Sequence, residues 1–198
     1  MTDPVTGTRE TYDAIALEFD RLTREPWAEL AADIAAFVSQ LPTGALVVDV
    51  GCGPGRDAAL LRARGLEVIR LDVSLAMLRI GERSRAVQAD MRALPLRSRT
   101  LDGLWCQAAM LHVPLADVPA VLAEFARVVK AGGPLHLTVA EGDGEGWQSD
   151  LYGGKPRWFA HHRRESLMGM LADAGFTTKR VAHRLIHRHW LAVQARRN

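Results

Sequence analysis

The chain has 198 residues, enough for one α/β core and within the usual size of a single domain. Its 25 basic and 23 acidic residues leave a formal net charge of +2, too even a balance to demand nucleic acid as a partner. The two cysteines, Cys52 and Cys106, offer neither a metal-ligand spacing nor a disulfide framework, and there is no signal peptide and no apolar run near the roughly 18 residues of a membrane span, so a metal-free, reduced, cytoplasmic setting is expected.

Residues 1–10 are polar and read as loose. Tyr12, Ile15, Ala16 and Phe19 then recur at helical spacing, and Trp27, Leu30, Ala31, Ile34 and Val38 do so again after Pro26, which suits a first helical turn. Two helices, separated at Thr23-Arg24-Glu25-Pro26, therefore precede the first strand, with core packing the expected role of Trp27. The apolar run 45–50 predicts a buried parallel strand. It ends in Gly51-Cys52-Gly53-Pro54-Gly55, a turn almost bare of side chains, and a helix is predicted over 56–64. Strand, glycine turn and helix form the opening unit of a doubly wound nucleotide-binding fold, where glycine lets the backbone turn sharply and a ligand approach it closely.

A second strand over 66–71 leads to Asp72, 21 positions beyond Gly51. That is where a ribose-binding carboxylate belongs, since it can accept hydrogen bonds from two neighbouring hydroxyls. Ser74 is better placed than Asp72 to cap the helix predicted over 75–82. Strands over 85–89, 101–106 and 134–140 continue the alternation, with a helix over 116–130 that stops at Gly132-Gly133. Residues 141–160 predict a long, glycine-rich, aromatic loop above the carboxyl edge of the sheet. A helix over 163–173 closes at Gly175, and 176–184 with 187–194 read as a terminal hairpin. The expected fold class is α/β: a doubly wound, mostly parallel, seven-stranded sheet with helices on both faces and an antiparallel last strand at its edge.

These segments resemble the motifs of the class I S-adenosylmethionine-dependent methyltransferases, in their small single-domain form. Val48 to Gly55 is similar to the first motif, Leu71 to Leu78 to the second, Gln88 to Pro95 to the third and Leu101 to Cys106 to the fourth. Leu122 to Leu137 resembles the helix, turn and strand that follow, so the match runs in order over residues 45–140. The competing reading, a dinucleotide-dependent oxidoreductase, wants its third glycine three positions after the second. Here Gly55 follows Gly53 by two positions, and position 56 is arginine.

The resemblance implies a Rossmann-like enzyme that uses S-adenosylmethionine and releases S-adenosylhomocysteine. It places Gly51, Cys52, Gly53 and Gly55 beside the methionine part of the cofactor. Asp72 would take the ribose hydroxyls and Asp90 the adenine amino group, with Met91 donating its backbone N–H to the ring and Leu71, Val73 and Leu94 lining it. Gln107 would reach the methionine end through its backbone. Asp49 either bonds near the cofactor's amino group, orders the glycine loop or is an internal structural acid. Residues 1–44 would form part of a lid over the cleft, on a core of residues 45–198.

Methyl transfer from a sulfonium is an in-line displacement at carbon, in which the protein aligns the nucleophile and removes its proton if it is neutral. His112 stands where similar methyltransferases place an aromatic or a histidine, and histidine titrates near neutrality. It is expected either to deprotonate or orient the acceptor, or to cap the next segment. Tyr12, Trp147, Tyr152, Arg157 and Trp158 are the expected walls of the acceptor pocket. His161 and His162 are a second base candidate, but adjacent histidines on a strand point different ways, which argues against a shared metal. The expected reaction moves a methyl group to an O or N atom of a small-molecule acceptor. The alternative is a tRNA or modified-nucleoside methyltransferase of the wobble-uridine carboxyl type, which Tyr12 to Trp27, Arg157-Trp158-Phe159 and a basic tail from Lys179 to Arg197 resemble. A cofactor-binding regulator without turnover is a third, non-enzymatic reading.

Overall fold

The computed structural model describes residues 3–82, 85–149 and 154–198. Tyr152, one expected pocket wall, lies outside the described residues. Helix α1, Pro4–Thr23, starts within the stretch expected to be loose. The start is encoded locally: Asp3 caps it by accepting the Thr6 N–H at 3.0 Å, and Pro4 fills the first turn, where its missing N–H costs nothing. Helix α2, Ala28–Val38, follows the predicted break.

The chain then alternates through β1 (Leu46–Val50), α3 (Arg56–Arg62), β2 (Glu67–Asp72), α4 (Leu75–Ile80), β3 (Ala86–Gln88), β4 (Gly103–Cys106), α5 (Val118–Val128) and β5 (Pro134–Ala140). These strands are parallel, in the order β3-β2-β1-β4-β5. The order reverses between β1 and β4, so a crevice opens at their carboxyl ends. Along each strand neighbouring side chains part to opposite faces. Val47, Val68 and Trp105 pack with α2 and α3, whereas Val48, Val50, Leu71 and Leu104 join the cluster that includes α5 and helix α6, Arg164–Asp173.

The sheet is completed by β8 (Phe176–Leu185) and β9 (His189–Arg197). The last strand, β9, is antiparallel to β5 as expected, but it is not the edge: it lies between β5 and β8. Composition explains the exchange. Leu191, Ala192, Val193 and Ala195 of β9 are buried. The edge falls to β8, which carries Lys179, Arg180, His183 and Arg184, the kind of charged strand that resists further pairing.

Part of the segment expected to be an irregular loop is a two-stranded ribbon, β6 (Glu145–Gln148) against β7 (Arg157–Ala160). Trp147 and Trp158 stand opposite each other with ring centres 5.7 Å apart, edge to face, a favourable cross-strand pair. Beyond the ribbon, His162 is buried with neither ring nitrogen hydrogen-bonded, and burial lowers its pKa to about 4. Among the described residues no group of three or more His, Cys, Asp or Glu could hold a metal ion, and no helix is long and apolar enough to cross a membrane.

Candidate active site

The glycine turn is shaped by what surrounds it. Gly51 has φ +70°, and a Cβ there would come 2.1 Å from the Cβ of Ala109. The N–H groups of Gly51 and Cys52 both donate to the Leu71 carbonyl, at 2.7 and 3.1 Å, which ties the turn to the end of β2. Gly55 has φ +98°, and a Cβ there would lie 2.6 Å from Nε of Arg70. Arg70 is itself buried, and it donates to the carbonyls of Gly53, at 3.1 Å, and Glu82. It is thus an internal brace under the turn, a role its place in an apolar strand does not announce.

Asp72 ends β2 with its carboxylate held by two backbone donors, Gly53 N–H on Oδ2 at 2.8 Å and Ser74 N–H on Oδ1 at 2.8 Å. Each oxygen keeps a lone pair. Burial pushes the Asp72 carboxyl up, and the two N–H donors oppose that rise. Ser74 caps α4 by accepting the Met77 N–H at 3.1 Å, and its hydroxyl donates to Asp13 of α1 at 2.6 Å. The Ala76 N–H donates to the same Asp13 oxygen at 3.1 Å, so α1 is docked on the start of α4.

Asp49 sits under the turn, buried, with Oδ2 lacking any hydrogen-bond partner. Burial raises its carboxyl well above the usual range, the Asp57 and Asp72 charges add to the rise, and Arg56 and Arg70 oppose it. An acid raised in the fold holds its proton more tightly folded than unfolded. The stability it costs therefore grows as pH climbs from the ordinary carboxylate range, about 4, toward the raised value. Asp49→Asn removes that cost. The variant without ligand should melt above the wild type at mildly alkaline pH, by the equivalent of about 1–3 kcal/mol, with the gap closing toward pH ~4. Thermal unfolding across that range checks the sign, and a gap that widens on acidification would contradict it.

A cavity of about 230 Å³ opens above these groups, lined by Asp49, Gly51, Cys52, Gly53, Leu71, Asp72, Val73, Asp90, Met91 and Gln107, ten of the expected cofactor residues. Gly55 and Leu94 are not on this wall. Leu94 is core, its N–H donating to Glu124 at 2.7 Å. Cys52 is buried with its thiol pushed well up by burial. Asp90 is gripped by a partner the sequence did not reveal: the Arg92 guanidinium bonds it at 2.8 to 3.2 Å and also reaches Asp3 and Asp117. Arg92 so fastens the N-cap of α1 to the carboxylate that follows β3. Trp27, expected in the core, packs against the α2 cluster but also lines the cavity, with the Arg56 guanidinium 4.5 Å above its ring.

Gln107 is held through its side chain: its Oε1 accepts from Nε2 of His136 at 2.9 Å. His136 stacks on Trp105 at 3.8 Å, and burial lowers its pKa to about 4, so it is a neutral donor. The following residue, Ala108, adopts φ +51° beside the cavity, and its N–H donates to Thr138 at 2.7 Å.

His112 closes a short 3-10 turn, Met110–His112, and lines the same cavity. Its Nδ1 is 2.6 Å from the Trp158 carbonyl, which can only accept, so Nδ1 carries a proton. In the neutral ring Nε2 then accepts from the Tyr12 hydroxyl at 2.8 Å. Arg157, 3% exposed, donates to the same hydroxyl at 3.2 Å. Of the expected acceptor walls, Tyr12 and Arg157 line the cavity, whereas Trp147 and Trp158 do not. Trp147 is 46% exposed and lies over Gly7, and Trp158 serves His112 only through its backbone, because alternation along β7 turns its ring to the other side. Phe159, Arg188, His187 and Trp190 complete the wall, and the sequence reading gave none of them a site role.

Residues 48–137 match the family model described as a methyltransferase domain. That stretch, 90 of the 198 residues, is similar to the class I S-adenosylmethionine-dependent methyltransferases. It is similar to the malonyl-[acyl-carrier protein] O-methyltransferase of Salmonella typhimurium strain LT2, 37% identical over 134 residues, 63% of this chain and 53% of that one. The chain spans about half the length of the curated relatives it matches. Its fold is that of the 1,6-didemethyltoxoflavin-N1-methyltransferase of Burkholderia thailandensis, solved with S-adenosylhomocysteine, with TM-score 0.78, 21% identity and coverage of 100% of this chain and 92% of that chain. The magnesium protoporphyrin IX methyltransferase of Synechocystis PCC 6803, solved with SAM, gives TM-score 0.79 at 18% identity, covering 100% of this chain and 99% of that chain. The buried, unpartnered Oδ2 of Asp49 is suited to a cationic group, and the spare lone pairs of Asp72 to a pair of hydroxyls. S-adenosylmethionine carries both.

Proposed function

We propose that the protein is an S-adenosylmethionine-dependent methyltransferase acting on an oxygen or nitrogen atom of a small-molecule acceptor. The observation that carries this is a single cavity with Asp49, Asp72 and Asp90 on one wall and the Arg157–Tyr12–His112 chain on another. The Salmonella relative is named for transfer to oxygen and the Burkholderia structure for transfer to nitrogen, which supports both acceptor atoms. When bound, the cofactor supplies a methyl group on a positively charged sulfur, electrophilic without further activation.

The remaining work belongs to the chain. Asp72 takes the ribose hydroxyls, Asp90 the adenine edge while Arg92 fixes its plane, and Asp49 a positive charge of the methionine part. A neutral acceptor gives its proton to the Tyr12 oxygen as the Tyr12 proton passes to Nε2 of His112. Arg157 stabilises the negative charge that Tyr12 would otherwise develop. Val5, Thr8, Tyr12 and Phe19 of α1 line the cavity, which supports a lid role for the first helix on a core of residues 45–198.

The basic tail gives the tRNA alternative little support. Arg184 is paired with Asp33 at 2.6 and 2.7 Å, Arg196 bonds Gln40 at 3.2 Å, and Arg197 donates to the carbonyls of Ala126 and Gly175. The test is calorimetry with S-adenosylhomocysteine, followed by radiolabelled methyl transfer to a panel of phenols, amines and carboxylic acids. Saturable binding and label in a small molecule are expected. No binding would overturn the proposal, and label in tRNA but in no small molecule would favour the alternative.

A further inference from the structure

His136 is an unusual residue for the middle of a sheet. It is fully buried on β5, pairs in register with Trp105 of β4 and stacks on that ring at 3.8 Å. Its Nδ1 is buried with no hydrogen-bond partner, so its one polar contact is the 2.9 Å bond between Nε2 and Oε1 of Gln107. A neutral imidazole has a single N–H. Placed on Nε2, that proton is used. Placed on Nδ1, it would be a buried donor without an acceptor, and the Gln107 amide would have to turn round to offer Nε2 its own N–H. The ring therefore decides which end of the amide faces inward. With Oε1 taken by His136, the N–H₂ end is the one left to the cavity that Gln107 lines.

The sheet places this amide beside Asp49. Asp49 of β1 is in register with Trp105, and Gln107 lies two positions beyond Trp105, so the two side chains leave the same face at the carboxyl end of adjacent strands. Both line the one cavity, and Asp49 brings to it an acceptor oxygen with no partner. An α-amino acid carries its ammonium and its carboxylate on one carbon. A carboxylate oxygen next to an amide N–H₂ matches that pair: the acceptor takes the ammonium and the donor takes the carboxylate. The nearby charges Arg56 and Asp57 are tied to each other at 2.7 Å. We infer that the Gln107 side-chain amide donates to the carboxylate of the cofactor's methionine part, and that His136 is the positioning residue that turns the amide's N–H₂ toward it.

The inference rests on the proposed function, and its test keeps the two apart. Three ligands are titrated by calorimetry into the whole protein: S-adenosylhomocysteine, its decarboxylated analogue, which keeps the ammonium, and methylthioadenosine, which lacks both charged groups. Wild type should prefer S-adenosylhomocysteine over the decarboxylated analogue by at least about tenfold. Gln107→Leu should cut that preference by about tenfold, and Gln107→Glu by more, because its outward oxygen repels the carboxylate. Methylthioadenosine should bind all three proteins within about twofold. His136→Phe keeps a ring on Trp105 and removes the donor, so the preference should fall by about fivefold, and His136→Gln, which restores an N–H, should recover part of it. Nitrogen NMR of the imidazole reads the tautomer in the wild type, without any substitution, and should find the proton on Nε2. A proton on Nδ1, or a preference that His136→Phe leaves intact, overturns the role of His136. A preference unchanged in both Gln107 variants, or methylthioadenosine weakened as much as S-adenosylhomocysteine, overturns the inference and leaves the proposed function standing. Failure of wild type to bind any of the three ligands overturns the proposed function and the inference with it.

Discussion

Gly51→Ala should cost at least about 100-fold in affinity for S-adenosylhomocysteine and lower the melting temperature by several degrees. Two effects add at this position. The backbone holds φ +70°, a conformation that costs a residue with a side chain about 1 kcal/mol or more. The new Cβ would also lie 2.1 Å from that of Ala109, where carbon atoms rest at about 3.5–4.0 Å. Either the turn or the segment before His112 must move, and both border the cavity. The double variant Gly51→Ala with Ala109→Gly removes the collision but not the backbone strain, so it should recover part of the lost affinity. Calorimetry and thermal unfolding on the three proteins measure the coupling. Affinity in Gly51→Ala within threefold of wild type would show that the turn has room the structure denies it.

The features legible from sequence are those whose cause is local. Gly51, Asp72 and Ser74 stand out because a bare turn, an acid at the end of the next strand and a cap one turn ahead of Met77 are all fixed by spacing along the chain. The placing of β1 to β5 follows from apolar runs between helical stretches in the same way. Asp3-Pro4 was legible too, as a cap followed by a first-turn proline, but the polar composition of residues 1–10 concealed it. What sequence does not carry is where a side chain goes once distant segments meet. Arg70 reads as an ordinary strand residue, yet it lies buried against Gly55 and Gly81 because neither glycine has a Cβ to exclude it. Arg92 gathers Asp3, Asp90 and Asp117 from three separate regions. Trp158 and Arg157 are neighbours on one short strand, and only the pairing of β7 with β6 decides which of them faces the cavity.

His112→Ala should reduce kcat by about 10²- to 10⁴-fold for an acceptor that must lose a proton, with S-adenosylhomocysteine affinity little changed. The hydrogen-bond directions set this expectation. Nδ1 of His112 is committed as a donor to the Trp158 carbonyl at 2.6 Å, so the basic nitrogen is Nε2, and that faces the Tyr12 hydroxyl at 2.8 Å. Under the proposed function, a proton leaving the acceptor would reach His112 through Tyr12. Tyr12→Phe keeps the ring that packs at 5.4 Å against Phe19 and removes only the link. Its kcat should fall by a similar factor, and the double variant should be little worse than either single one, because the two groups act as one unit. The pH profile gives the sign. The chain works only while Nε2 can accept, so wild-type activity should fall on acidification, and that acid limb should vanish from the residual activity of His112→Ala. Should the transferred methyl go to an oxygen already ionised, no proton needs removing and the acid limb would survive the substitution. Wild-type kcat in His112→Ala for a phenol or amine acceptor, with cofactor binding intact, would remove the pair from the chemistry.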